Sequence, residues 1–126
     1  MERLRGLRVL VIEDVADIRD ILVLLLRSEG ADVVATPSGR EGAKLAGNNN
    51  FDVVLTDLGL PDIAGDALIR QLRAASGVST RVVVITGYGE PYITRARQAG
   101  ADAVFTKPLD WPTVCDCVGQ RVPAAA

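Results

Sequence analysis

Five short runs of apolar, largely β-branched residues recur at nearly even intervals, and this rhythm limits the folds open to the chain more than any other feature. The runs are Arg8–Ile12, Asp32–Ala35, Phe51–Thr56, Arg81–Thr86 and Asp102–Thr106. Four of them (VLVI, VVAT, VVLT and VVVIT) lack a clean in/out alternation, as strands of a parallel sheet covered on both faces do. Helix-like stretches separate them. Asp17–Ser28 carries Ile18, Ile21, Leu22 and Leu25 at i, i+3, i+4 and i+7 and is followed by Gly30, a glycine placed to close a helix. Ser38 with Glu41 three residues later is a capping-box pattern opening a helix to about Gly47. Ala67–Ala75 and Tyr92–Ala99 each end before a glycine, and a last helix follows Asp110 with Pro112 in its first turn. Strands alternating with helices at this period predict a doubly wound α/β fold, (βα)5, in one domain.

A single domain of 126 residues needs no staple, because a chain of this size buries about two-thirds of its unfolded surface. The spacing of Cys115 and Cys117 matches neither a redox nor a zinc pattern, so both read as small buried hydrophobes in a reducing compartment. Ile21–Leu26, the longest fully apolar run, is far short of a bilayer span, and Met1–Leu7 has no apolar signal-peptide core. A cytoplasmic location is expected. Fourteen basic against sixteen acidic residues argue against coating a nucleic acid. The absence of histidine excludes a Ser-His-Asp triad, His-ligated zinc, an imidazole base or a phosphohistidine carrier within this chain.

In doubly wound sheets, ligands bind beyond the carboxyl ends of the strands. The first run ends in Glu13-Asp14, the third in Asp57, the fourth in Thr86 and the fifth in Lys107-Pro108, whereas the second ends in Thr36-Pro37 with no comparable group. Singly, each has an ordinary reading: an Asp after a strand often caps the next helix, and a Lys there is usually solvated. Together they put three carboxylates, a hydroxyl and an amine on one edge. Clustered carboxylates without His or Cys suit a hard cation, and Mg²⁺ is the natural choice. Lys107 and Thr86 suit phosphoryl oxygens, and an Asp carboxylate can itself be the nucleophile. No Walker A motif is present, and Gly87-Tyr88-Gly89 has Tyr92 where a dinucleotide fingerprint needs its third glycine. Glu13-Asp14 stands where a flavin-phosphate loop would need Ser, Thr and Gly, and Asp57-Leu58-Gly59 is not the D-x-D of an aspartate-based phosphatase.

The stretches VLVIEDVADIR, FDVVLTDLGLPDIAGDALIRQLR, VVVITGYG and ADAVFTKPL, in this order, resemble the receiver domains of two-component response regulators. The resemblance covers about 7 to 122, with 123–126 as a frayed tail. It implies a flavodoxin-like, CheY-like fold with strand order 2-1-3-4-5. By the same resemblance Asp57 is the phosphoacceptor, taking phosphorus from a phosphohistidine on a sensor histidine kinase or a histidine phosphotransfer protein. Asp14, Asp57 and the Gly59 carbonyl would ligate Mg²⁺, with Glu13 acting mostly through a metal-bound water. Lys107 would pair with the phosphoryl group, and the Lys107–Pro108 bond would be cis. Thr86 would swing to the phosphoryl oxygen, with amides of Leu58, Gly59 and Gly87 as further donors, so that phosphorylation changes a binding surface. Such a domain catalyses only its own phosphorylation and dephosphorylation.

Some positions depart from the family pattern. Glu-Asp replaces the Asp-Asp pair. Val104 occupies the usual place of the switch aromatic, and Phe105 should face the other side of its strand, so the usual aromatic coupling is not expected. Tyr88 reads either as a surface tyrosine after a strand, the simpler reading, or as a substitute moving ring. Gly59 and Tyr88 flank the site where side chains tune dephosphorylation. The excess apolar surface of Ile18–Leu26 marks either a deeply buried helix or a docking face for partner helices. The competing reading is a receiver-like interaction module that takes no phosphate. With no DNA-binding segment after Val122, this chain alone is expected to bind no operator. It reads as a stand-alone receiver, possible homodimers included, a relay intermediate, or the receiver of a hybrid histidine kinase.

Overall fold

A computed structural model of the chain describes residues 2–77 and 79–120. Ten elements alternate along it: β1 (Arg8–Ile12), α1 (Ala16–Ser28), β2 (Asp32–Thr36), α2 (Gly39–Asn48), β3 (Val53–Asp57), α3 (Gly65–Ala75), β4 (Arg81–Thr86), α4 (Tyr92–Ala99), β5 (Ala103–Thr106) and α5 (Trp111–Gly119). The strands form one sheet in the order β2-β1-β3-β4-β5, all neighbours parallel. The predicted fold and strand order are those observed. The expected end of the core at 122 and the tail at 123–126 lie outside the described residues.

The missing alternation in the strands has a direct explanation. Val9, Val11, Val53, Leu55, Val83 and Ile85 pack on one face with Leu22 and Leu26 of α1 and Val114, Cys115 and Val118 of α5. Leu10, Ile12, Val54, Val82 and Val84 pack on the other with Leu68, Ile69 and Leu72 of α3 and small residues of α2 and α4. Both residue parities are therefore buried, and each must be apolar. Gly42 allows α2 to sit directly on β1, since a Cβ there would collide with the Ile12 side chain. Gly30 closes α1 with φ at +95°, a conformation that favours glycine.

Two sequence expectations need correction. In α1 the buried residues are Leu22 and Leu26, with Ile18 and Val23 packed beside them, whereas Ile21 is 56% exposed. The run Ile21–Leu26 is apolar at every angle, so periodicity alone could not choose its inner stripe. At α2, Ser38 accepts from the Glu41 amide at 3.1 Å, but the return half of the capping box is absent. The Ser38 amide donates instead to Thr36 Oγ1 at 3.3 Å. Cys115 is buried and Cys117 half-buried, both as free thiols. No helix among the described residues is long and apolar enough to cross a membrane.

Candidate functional site

Strand register brings the predicted residues to one edge. Ile12 is level with Thr36 and Thr56, Asp57 with Ile85, and Thr86 with Thr106. The ladder runs one step past each edge: the Glu13 amide donates to the Thr36 carbonyl at 3.1 Å, and the Lys107 amide to the Thr86 carbonyl at 2.8 Å. Glu13, Asp57, Thr86 and Lys107 therefore leave the sheet within two residues of the same level, and Asp14 follows Glu13 into the β1–α1 loop.

One carboxylate oxygen from each of Glu13, Asp14 and Asp57 lies within 4.8 Å of the others. Glu13 is fully buried and Asp57 nearly so. Lys107 closes the cluster, its Nζ 3.1 Å from Asp57 Oδ2 and 3.4 Å from Glu13 Oε1. Asp57 Oδ1 accepts the amides of Leu58 at 2.7 Å and Gly59 at 3.2 Å. Burial, and then the charge of Asp57, push the Glu13 carboxyl from 4.5 up to about 7, against the pull of Lys107. Burial works against the Lys107 ammonium, but its hydrogen bond to Asp57 and the charges of Asp57 and Glu13 prevail, so its pKa is raised. With oxygen donors only, no imidazole and no thiol, the residues present fit a hard divalent cation.

The Thr86 hydroxyl, fully buried, accepts the Tyr88 amide at 2.9 Å. Tyr88 is half-exposed and its ring lies over Gly59, where a Cβ would touch the hydroxyl oxygen at 3.4 Å. Its ring centroid is 5.0 Å from that of Tyr92, over which Arg95 sits at 5.9 Å. Gly87 is exposed, with open space where a side chain would stand. Val104 packs on the α3/α4 side and Phe105 on the α1/α5 side, so the two face opposite ways as predicted. The Lys107–Pro108 bond is cis, as the resemblance implies, and so is Glu90–Pro91.

Two residues with a role in this region escaped the sequence reading. Asp62, in the β3–α3 loop, reaches back to α2 and accepts from Ser38 Oγ at 3.0 Å and the amides of Gly39 and Arg40 at 3.1 and 2.9 Å. Those bonds, the Arg40 amide foremost, lower its pKa despite a desolvation penalty. Arg19, in α1, donates to the carbonyls of Glu13 and Asp14. Neither partner lies at a spacing that marks a motif, and only an arginine one turn into a helix that follows an acidic loop hints at the second.

Residues 9–118 match the response regulator receiver domain family. The chain is 37% identical over 104 residues to the cell cycle transcriptional regulator CtrA of Caulobacter vibrioides, covering 82% of this chain and 45% of that protein. It is 39% identical to the cell cycle response regulator CtrA of Brucella ovis, covering 82% and 44%. The chain thus spans less than half the length of these curated relatives. Among solved structures it is similar to a response regulator of Burkholderia pseudomallei holding a phosphorylated aspartic acid and a calcium ion, at a TM-score of 0.82 and 28% identity over 90% of this chain and 66% of that one. It is also similar to TrrA of Thermotoga maritima in complex with Mg²⁺ and BeF, at 0.79 and 25% over 88% and 95%. The acidic edge and the sequence match agree: the chain belongs to the response regulator receiver domains, the phosphoacceptor modules of two-component signalling.

Proposed function

We propose that Asp57 is the phosphoacceptor, that Glu13, Asp14, Asp57 and the Gly59 carbonyl hold Mg²⁺, and that the donor is a phosphohistidine on a sensor histidine kinase or histidine phosphotransfer protein. The observation that carries this is the placement of Asp57: nearly buried, ion-paired to Lys107 at 3.1 Å and clustered with two further carboxylates. In the transfer, a carboxylate oxygen of Asp57 forms the new O–P bond as the donor's N–P bond breaks, and the departing imidazole nitrogen takes up a proton. Bound Mg²⁺ would offset the carboxylate charge and polarise phosphoryl oxygens. Lys107, freed from Asp57, pairs with the transferred group. Thr86 gives up the Tyr88 amide to donate its hydroxyl to a phosphoryl oxygen, which loosens the turn leading into α4. Amides of Leu58, Gly59 and Gly87 are further donors at the same edge. With valine at 104, Tyr88 is the aromatic residue tied to Thr86, through its amide. The exposed Val15 at the N-cap of α1, with Ile21 and Leu24 of the helix itself, offers the donor protein an apolar face.

Intact mass after incubation with a small phosphodonor tests the assignment. The wild type is expected to gain one phosphoryl group only with Mg²⁺, and Asp57→Asn none. Equal gain by the variant would move the acceptor elsewhere. No gain under any condition would favour a phosphate-independent module.

A further inference from the structure

Arg19 occupies an unusual place for a charged residue beside an acidic cluster. Its Nη1 donates to the main-chain carbonyl of Glu13 at 2.9 Å and lies 3.5 Å from that of Asp14. Both described hydrogen bonds go to carbonyls and neither to a carboxylate, although Asp17 and Asp20 lie on the same helix. The loop it grips is otherwise anchored at its start, where the Glu13 amide donates to the Thr36 carbonyl and Lys107 pairs with the Glu13 carboxylate. At its end, α1 starts at Ala16 with Val15 as an N-cap that makes no side-chain hydrogen bond. The other hold from within the loop is a 3.4 Å contact from the Val15 amide to Glu13 Oε2.

From this geometry we propose that Arg19 is a positioning residue for the divalent-cation site, acting through the backbone of Glu13 and Asp14. The proposal rests on the metal reading above. Two carboxylates projecting from adjacent residues converge on one ion only if the peptide units between them are fixed. A planar guanidinium bonding two successive carbonyls from the first turn of α1 supplies that restraint with charge-assisted hydrogen bonds. It also aims both carbonyl dipoles at a permanent positive charge. Groups that orient metal ligands typically govern affinity by about 10-fold or more.

The test is calorimetric titration of wild type, Arg19→Met and Arg19→Lys with Mg²⁺ alone, alongside thermal unfolding and amide exchange of the metal-free proteins. Arg19→Met keeps most of the stem and removes the donors. It is expected to weaken Mg²⁺ binding about 10-fold and to speed exchange at Asp14 and Val15, with metal-free unfolding little changed. Arg19→Lys, which retains charge and donors without the planar fork, should fall between. Affinity within about twofold of wild type in Arg19→Met, or in Arg19→Lys should the methionine variant not fold, overturns the proposal. So does a loss confined to metal-free stability. If the wild type itself binds no Mg²⁺, the metal assignment fails and the role of Arg19 fails with it, a result distinct from a variant that binds like its parent.

Discussion

Glu13→Gln should make the metal-free protein more stable at pH 8, although it removes a buried ion-pair partner of Lys107. The Glu13 carboxyl is fully buried, and burial followed by repulsion from Asp57 raises it from 4.5 to about 7. A group whose pKa is higher folded than unfolded holds its proton more tightly in the native state. Its stabilisation is therefore complete below 4.5 and is lost as pH rises through about 7. At 1.36 kcal/mol per pH unit the full effect is on the order of 3 kcal/mol, of which about 2 kcal/mol falls between pH 5.5 and 8. Lys107, raised above 10.5, contributes a constant amount across that window, and Asp62, lowered from 3.8, has already contributed its share below it.

Urea denaturation at pH 5.5 and 8, with and without Mg²⁺, reads this directly. The metal-free wild type should lose about 2 kcal/mol between the two, or roughly 8 °C in Tm for a domain of this size. Mg²⁺ should restore the loss, because a cation that binds only the folded, ionised cluster stabilises it by mass action. Glu13→Gln should show no such slope. A metal-free wild type as stable at pH 8 as at 5.5, or a glutamine variant that keeps the slope, would refute the assignment of this titration to Glu13.

Ser38→Ala removes the cap on the Glu41 amide and a donor to Asp62, and should cost about 1 kcal/mol by urea denaturation, with Mg²⁺ affinity unchanged. Leu24, 69% exposed, tests the docking face: Leu24→Asp should leave stability within about 0.5 kcal/mol yet slow transfer from a phosphohistidine protein, with uptake from a small phosphodonor unaffected. Tyr88→Ala uncovers Gly59 and should shorten the lifetime of the phosphorylated form, followed by the decay of its mass over time, without altering the metal-free Tm.

The elements and the candidate site were legible because each is announced locally. A β-branched run declares a strand wherever both faces are covered, and the residue that ends it is adjacent in sequence. Glu13, Asp57, Thr86 and Lys107 could thus be assembled at one edge from strand order alone. What stayed hidden depends on contacts between distant segments or on choices that periodicity leaves open. Asp62 caps α2 from more than twenty residues away, from beyond β3. Ile21 and Leu26 are chemically alike, and only the seat of α1 on the sheet buries the second and exposes the first. The strength of Lys107's hold on Asp57 likewise required its distance.

The site's electrostatics suggest why its occupancy matters to the fold. One ammonium against three ionised carboxylates leaves an excess of two negative charges, the charge of a single divalent cation. Without a cation, Glu13 moderates that excess by holding its proton up to about pH 7. On the proposed reading, cation uptake and loss of the Glu13 proton are therefore linked, and a phosphoryl group on Asp57 would draw Lys107 away from Glu13. The same residues end strands β1, β3, β4 and β5 or begin the loops after them. A change of charge at the edge thus reaches the β1–α1 turn through Glu13 and the β4–α4 turn through Thr86, whose hydroxyl now holds the Tyr88 amide. Of these two routes only the second ends on exposed aromatic rings, Tyr88 and Tyr92, so a phosphorylation signal is best placed to leave the domain there.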